Sequence, residues 1–219
     1  MNGNVNCEEY YVASLDLLAG KTIIENDTTD ENLNHIRNIY KSWLKICKND
    51  ELFKYIKIKI FSDNIVMAIN CNVTNAVEYL LEVVSWMAEH FLRCGYKIRG
   101  GITKGKLYID DVLVWGNALV EAYTLESKYA VNPRIIISES LISDISERTK
   151  NLMIPFDTDF YILDYLKGYG KGAIGYLETI ALALERLNNE LYIDEKIMSK
   201  NEYLRDYLLK AKQYWETKK

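Results

Sequence analysis

Two short β-rich runs flank the triplet Ser62-Asp63-Asn64. Tyr55-Ile56-Lys57-Ile58-Lys59-Ile60-Phe61 alternates apolar and polar residues with a period of two, and Ile65 to Ile69 is a second β-favouring run. Ser, Asp and Asn are turn residues because their short polar side chains bond nearby backbone. The segment therefore predicts a strand, a tight turn and a strand, with Asp63 at the tip. Such a hairpin needs a third strand and a helical cover to be stable.

The neighbouring segments supply both. Glu9 to Asp16 reads as a strand ending at an acid, with Gly20 just beyond. Thr28-Thr29-Asp30-Glu31 has the polar residues of a helix start. Leu33, Ile36, Ile39, Trp43 and Ile46 follow at helical spacing, giving a helix from about 30 to 48. A second helix is predicted from about 74 to 94. Its glutamates, Glu78, Glu82 and Glu89, argue for packing on a sheet rather than crossing a membrane.

Tyr96 to Gly105 reads as a strand whose glycines allow close backbone approach, and Leu107 to Asp110 continue it or pair with it. A helix runs from Asn117 to about Tyr129. A short buried strand spans Arg134 to Ser138, and Ser138 is placed to cap a helix after it. A strand pair is expected between Phe156 and Leu166. A basic glycine loop carries Lys167 and Lys171, a helix begins near Ala173, and a charged C-terminal helix covers about 196–217. The order β-α-β-β-α-β, with further elements, predicts an α+β fold: a ferredoxin-like antiparallel central sheet covered by helices. At 219 residues, the chain is expected to form a single domain over 1–219.

Composition narrows the function classes. A net charge of -4 argues against a nucleic-acid-coating protein, and the aromatic pattern of an RNA-binding sheet is missing. Cys7, Cys47, Cys71 and Cys94 form no C-x-x-C pair and only two histidines occur, which disfavours zinc. No secretory leader opens the chain, so a cytoplasmic protein with reduced thiols is expected. The triplets at Asn26 and Asn72 then carry no glycosylation meaning.

In the predicted topology the strand ending at Asp16 lies beside the strand after Asp63, so the two carboxylates converge at one edge of the sheet. Paired carboxylates are a usual way to hold Mg²⁺ or Mn²⁺ with substrate phosphates. Taken singly, each aspartate reads rather as a turn cap; their contexts together reverse that.

Five motifs stand around this pair in order. Ser14-Leu15-Asp16-Leu17-Leu18-Ala19-Gly20 resembles the F-x-D-I-x-G-F opening of class III nucleotide cyclases. Phe61-Ser62-Asp63-Asn64-Ile65 resembles their second metal motif, and Arg99 to Gly105 their R-G-G/A-I-x-x-G strand. Gly116 to Glu126 resembles a G-P-A-L-x-E-A-Y-x-L-E block, and Ala130 to Ile135 the A-x-x-P-R-I after it. The matches run from about 10 to 138. Their combination is similar to the bacterial Pycsar cyclases, which make cyclic UMP or cyclic CMP as anti-phage signals.

The resemblance implies that UTP or CTP is converted to the 3′,5′-cyclic nucleotide and pyrophosphate with two Mg²⁺ or Mn²⁺ ions on Asp16 and Asp63. The peptide groups of Leu17, Leu18, Ala19 and Gly20 would lie against the β- and γ-phosphates. Lys59, beside Phe61, would face the base, although Lys57 is equally placed on the strand. Arg99 would either steady the reacting phosphate or pair with a carboxylate. Lys167 and Lys171 resemble a late triphosphate-binding loop, or are a solvated one. The family implies a homodimer with composite sites and a downstream effector protein that reads the cyclic nucleotide.

There are departures. Val120 and Thr124 stand where many relatives carry a transition-state Asn and Arg, and Leu113 where purine cyclases often carry a base-reading Asp. Val120 and Thr124 favour a catalytically silent nucleotide-binding sensor as the alternative. Leu113 fits a non-adenine base. A purine cyclase is the third reading. A diguanylate cyclase lacks its G-G-D/E-E-F turn here.

Overall fold

A computed structural model describes residues 5–167, 172–189 and 195–218. The chain begins with β1 (Glu8–Leu17), a short helix α1 (Gly20–Glu25) and α2 (Glu31–Cys47). The predicted hairpin comes next as β2 (Ile56–Phe61) and β3 (Asn64–Asn70), with Ser62 in the left-handed region at its tip. Then come α3 (Ala76–Arg93), β4 (Ile98–Ile109), a two-residue β5 (Val114–Trp115) and α4 (Asn117–Thr124). The second half holds β6 (Ile135–Ser138), α5 (Glu147–Lys150), β7 (Met153–Asp157), β8 (Phe160–Leu163), α6 (Ala173–Asn189) and α7 (Glu195–Glu216).

The main sheet has the order β2-β3-β1-β4-β6-β8-β7, with β5 paired to β4. β1 is central, antiparallel to both β3 and β4. It is buried on both faces, which explains its nearly continuous apolar run. Tyr11, Ala13, Leu15 and Leu17 face the large core under α2, α3 and α6, whereas Tyr10 and Val12 face a smaller core under α4. Asp16, in phase with Tyr10 and Val12, is directed to the α4 face.

The central part of the sheet, β2-β3-β1-β4, is antiparallel as expected, and the full sheet is mixed. β6 runs parallel to β4, because the chain between them crosses over through α4 instead of turning back in a hairpin. One short helix is unexpected and two local expectations are corrected. Helix α1, six residues long, is not visible in the hydrophobic period. The start of α2 is capped not by Thr28 to Asp30 but by Asp27, whose carboxylate accepts from the amides of Asn32 at 3.1 Å and Leu33 at 2.8 Å. The predicted helix from Asn117 to Tyr129 ends in a π-helical turn over Leu125–Tyr129, where the Ala130 amide donates to the Leu125 carbonyl at 3.0 Å.

Gly101 explains how α4 sits on the sheet. A Cβ at this position would run into the Ala122 carbonyl and the Leu125 side chain. Ser138 caps the 3₁₀ turn after β6, accepting from the Ser140 amide. Lys171 and its glycine loop, predicted as a basic element, lie outside the described residues. All four cysteines are free thiols. Among the described residues, no helix is long and apolar enough to cross a membrane.

Candidate active site

The β1 end and the hairpin tip meet at one edge of the sheet. Asp16 is opposite Asn64 on one side and Arg99 on the other. The Leu17 amide donates to the Asp63 carbonyl at 3.0 Å, tying the chain after Asp16 to the turn. Gly20 packs so closely on Asp63 that an added Cβ would collide with its carboxylate. Ala19 takes a left-handed conformation to start α1 there, with φ 66°. The sequence therefore folds Asp16, Asp63 and Leu17 to Gly20 into one small region.

Arg99 is gripped from two sides. Its Nε donates to Asp16 Oδ2 at 2.7 Å. Its Nη2 lies 2.8 Å from Glu126 Oε1, an ion pair whose angle falls outside hydrogen-bond geometry. Glu126 is 2 % exposed and comes from the π-helical turn. Of the two alternatives for Arg99, the structure displays carboxylate pairing.

Burial pushes the Asp16 carboxyl above its ordinary range. Arg99 opposes that shift, the Asp63 charge adds to it, and Lys200 of α7 works with Arg99. Burial likewise raises Glu126, again opposed by Arg99 and reinforced by Asp16 and Asp63. Three carboxylates thus share the neighbourhood of one arginine, an arrangement that a cation relieves.

The donor set fits hard divalent ions: two carboxylates from adjacent strand ends, close together and reachable from solvent. Among the described residues, no group of three or more His, Cys, Asp or Glu side chains has the geometry of a metal site. A metal here would rest on the two aspartates and on oxygen atoms from substrate and water.

Of the remaining predicted residues, Phe61 is exposed at the end of β2. Lys59 is half-buried and lies 3.5 Å from the exposed Asp111. Lys57 is separated from it in role: its ammonium donates to the Ile109 carbonyl at 2.7 Å and lies over the Tyr10 ring. Lys167 is turned toward Asp164 and the Tyr214 ring. Val120 is exposed, and the Thr124 hydroxyl is spent on the Val120 carbonyl at 2.7 Å.

Sequence reasoning assigned no role to Glu126, although it closes the Gly116–Glu126 motif. An acid in helical phase with Ala122, facing an R-G-G strand, is the signal that marks it.

The fold has solved counterparts. The catalytic core of a rhodopsin-guanylyl cyclase with converted specificity, in complex with ATPαS, superposes with a TM-score of 0.58 at 15% identity. The match covers 72% of this chain and 97% of that one. A non-canonical dimeric guanylyl cyclase domain from the aquatic fungus Blastocladiella emersonii gives 0.57 at 16%, covering 73% and 95%. The adenylyl cyclase CyaB from P. aeruginosa gives 0.52 at 18%, covering 72% and 95%. This chain has the class III cyclase fold. No protein-family model and no curated protein sequence matches it. Nearly the whole of each cyclase domain is thus contained in about three quarters of this cyclase-fold chain.

Proposed function

We propose that the protein is a nucleotide cyclase that converts UTP or CTP to the 3′,5′-cyclic nucleotide and pyrophosphate, as a signal in anti-phage defence. The observation that carries the reading is the convergence of Asp16 and Asp63 against the Leu17–Gly20 turn, within a cyclase fold. The carboxylates would hold two Mg²⁺ or Mn²⁺ ions. When bound, such ions ease deprotonation of the ribose 3′-hydroxyl and neutralise charge on the triphosphate.

The chain's own residues supply the frame. The Leu17 and Leu18 amides are bonded to the Asp63 and Lys97 carbonyls, so the amides of Ala19 and Gly20 are the ones that would donate to phosphate oxygens, and Gly20 leaves room for Asp63. In the reaction the 3′-oxygen bonds to the α-phosphorus as the bond to the β-phosphate bridge breaks. Pyrophosphate leaves and the hydroxyl proton passes to solvent. Arg99 fixes the orientation of Asp16 and offsets the buried Glu126.

Lys59 is the base-facing candidate, because the other lysine of its strand face is anchored to β4. Its ammonium can donate to a pyrimidine carbonyl. Leu113, exposed on the loop before β5, offers no carboxylate to an adenine amino group.

Val112, Trp115, Val120 and Tyr123 are exposed apolar side chains on and around α4 and the β4–β5 loop. This patch supports a homodimer in which each site is completed by the partner subunit. The cyclic product would act through a separate effector protein.

A second reading, a silent nucleotide-binding sensor, is favoured by one observation: Val120 is apolar and the Thr124 hydroxyl is already bonded within its helix. Incubating the purified protein with Mn²⁺ and each ribonucleoside triphosphate separates the readings. Cyclic UMP or cyclic CMP is the expected product. A cyclic purine nucleotide would overturn the base assignment, and triphosphate binding without product would favour the sensor.

A further inference from the structure

Helices α1 and α2 and the hairpin tip enclose a cavity of about 430 Å³ that the cyclase reading does not use. It lies behind the candidate active site. Asp16 is directed to the α4 face of the sheet, whereas Leu17, the next residue, faces the large core on the other side and lines the cavity. Gly20 and Asp63 stand between the two regions. Both line the cavity, and they are packed tightly on each other.

The walls are mostly aliphatic, with Ile23 and Ile24 from α1 and Leu33 and Ile36 from α2. Ile24 and Leu33 are more than half exposed, so the lining meets water at this end. Tyr40 forms part of the inner wall. It is nine-tenths buried, and its hydroxyl has no hydrogen-bond partner among the described residues. Burying an unpaired hydroxyl is costly, and a polar atom brought to it relieves that cost.

The charges around the cavity have one sign. Asp27 and Asp30 line it together with Asp63, and no lysine or arginine does. Asp27 gives each carboxylate oxygen to one amide of α2, which fixes its position and leaves lone pairs for a further donor. An apolar hollow of this size with a few placed polar groups is the usual form of a small-molecule site.

We propose that this cavity binds a small apolar amine. The apolar body lies between α1 and α2, the ammonium meets Asp27 and Asp30, and a polar atom reaches the Tyr40 hydroxyl. Because Gly20 and Asp63 are walls of both regions, an occupant braces α1 and the hairpin tip from behind the candidate active site. The inference uses the cavity alone and stands whether or not the protein cyclises nucleotides.

Tryptamine is the probe, with neutral indole and anionic indole-3-acetate as charge controls. Calorimetric titration of the full chain should give tryptamine a Kd on the order of 0.1–1 mM, as expected for a ligand of its size. Indole should bind several-fold more weakly and indole-3-acetate more weakly still, since only the ammonium matches the acidic rim. Leu33→Trp, which fills the exposed end, should weaken tryptamine about tenfold or more. Tyr40→Phe should weaken it about threefold to tenfold without lowering the melting temperature, because the hydroxyl it removes has no partner to lose. Hydrogen exchange should slow on tryptamine binding in α1, the start of α2 and Ser62–Asn64. Absence of tryptamine binding, indole-3-acetate binding as tightly as tryptamine, full affinity in Leu33→Trp or Tyr40→Phe, or protection confined to the apolar surface around Trp115 would each overturn the proposal.

Discussion

Arg99 donates from Nε to Asp16 Oδ2 at 2.7 Å, and this bond holds a candidate metal-binding carboxylate in place. The same guanidinium neutralises Glu126, which is almost wholly buried. Removing the arginine leaves that acid without a counter-charge. Arg99→Ala is expected to destabilise the protein by about 2–4 kcal/mol, toward the low end because Arg99 is itself a quarter exposed. Urea denaturation measures it. Glu126→Gln in the Arg99→Ala background should recover part of the loss, since the neutral amide needs no partner charge.

Gly20 has no space for a side chain against Asp63. Gly20→Ala should displace either the hairpin tip or the first turn of α1, costing about 1–3 kcal/mol. The displacement falls on a candidate ligand, so Mn²⁺ affinity should drop more than stability suggests. Titration of Mn²⁺ by electron paramagnetic resonance reads that difference.

Asp144 gives the clearest pH dependence away from the site. The Lys104 ammonium, 2.6 Å away, lowers the Asp144 carboxyl below its usual range, and the Tyr11 hydroxyl assists. A depressed folded-state value means that the ionised form stabilises the fold above the unfolded pKa of about 4. That contribution is lost as pH falls through the folded value. Asp144→Asn should therefore be less stable than wild type at pH 7, by about 1 kcal/mol for this partly exposed pair. The gap should close as pH falls below about 4, as followed by denaturant melts.

Lys59→Ala should raise the KM for the pyrimidine triphosphate about tenfold while changing kcat less, because the ammonium would contact the base and not the reacting phosphorus. Lys57→Ala, which removes a bond to the Ile109 carbonyl, should instead lower stability. Steady-state kinetics and thermal melts on the two variants separate these effects.

The hairpin at Asp63 and the buried strand ending at Asp16 are legible because their patterns are local. Period-two alternation, turn residues and an apolar run each depend on neighbouring residues alone. Helix α1 is not legible, since six residues make too few turns to show a period. Asp27 takes the capping role expected of Thr28–Asp30 because the end of α1 sets the direction of entry into α2. Glu126 is visible as a residue, but its burial depends on the π-helical turn that rotates it under α4.

Cyclisation by this fold stands or falls with Asp16 and Asp63 acting together. The measurement that decides it follows cyclic product by mass spectrometry and pyrophosphate release in parallel, for wild type and Asp63→Ala, with all four ribonucleoside triphosphates and Mn²⁺. A cyclic pyrimidine nucleotide and pyrophosphate are expected in equal amounts from the wild type, with both reduced at least ~100-fold in the variant. Equal product from Asp63→Ala, or no cyclic product from the wild type, would refute the assignment.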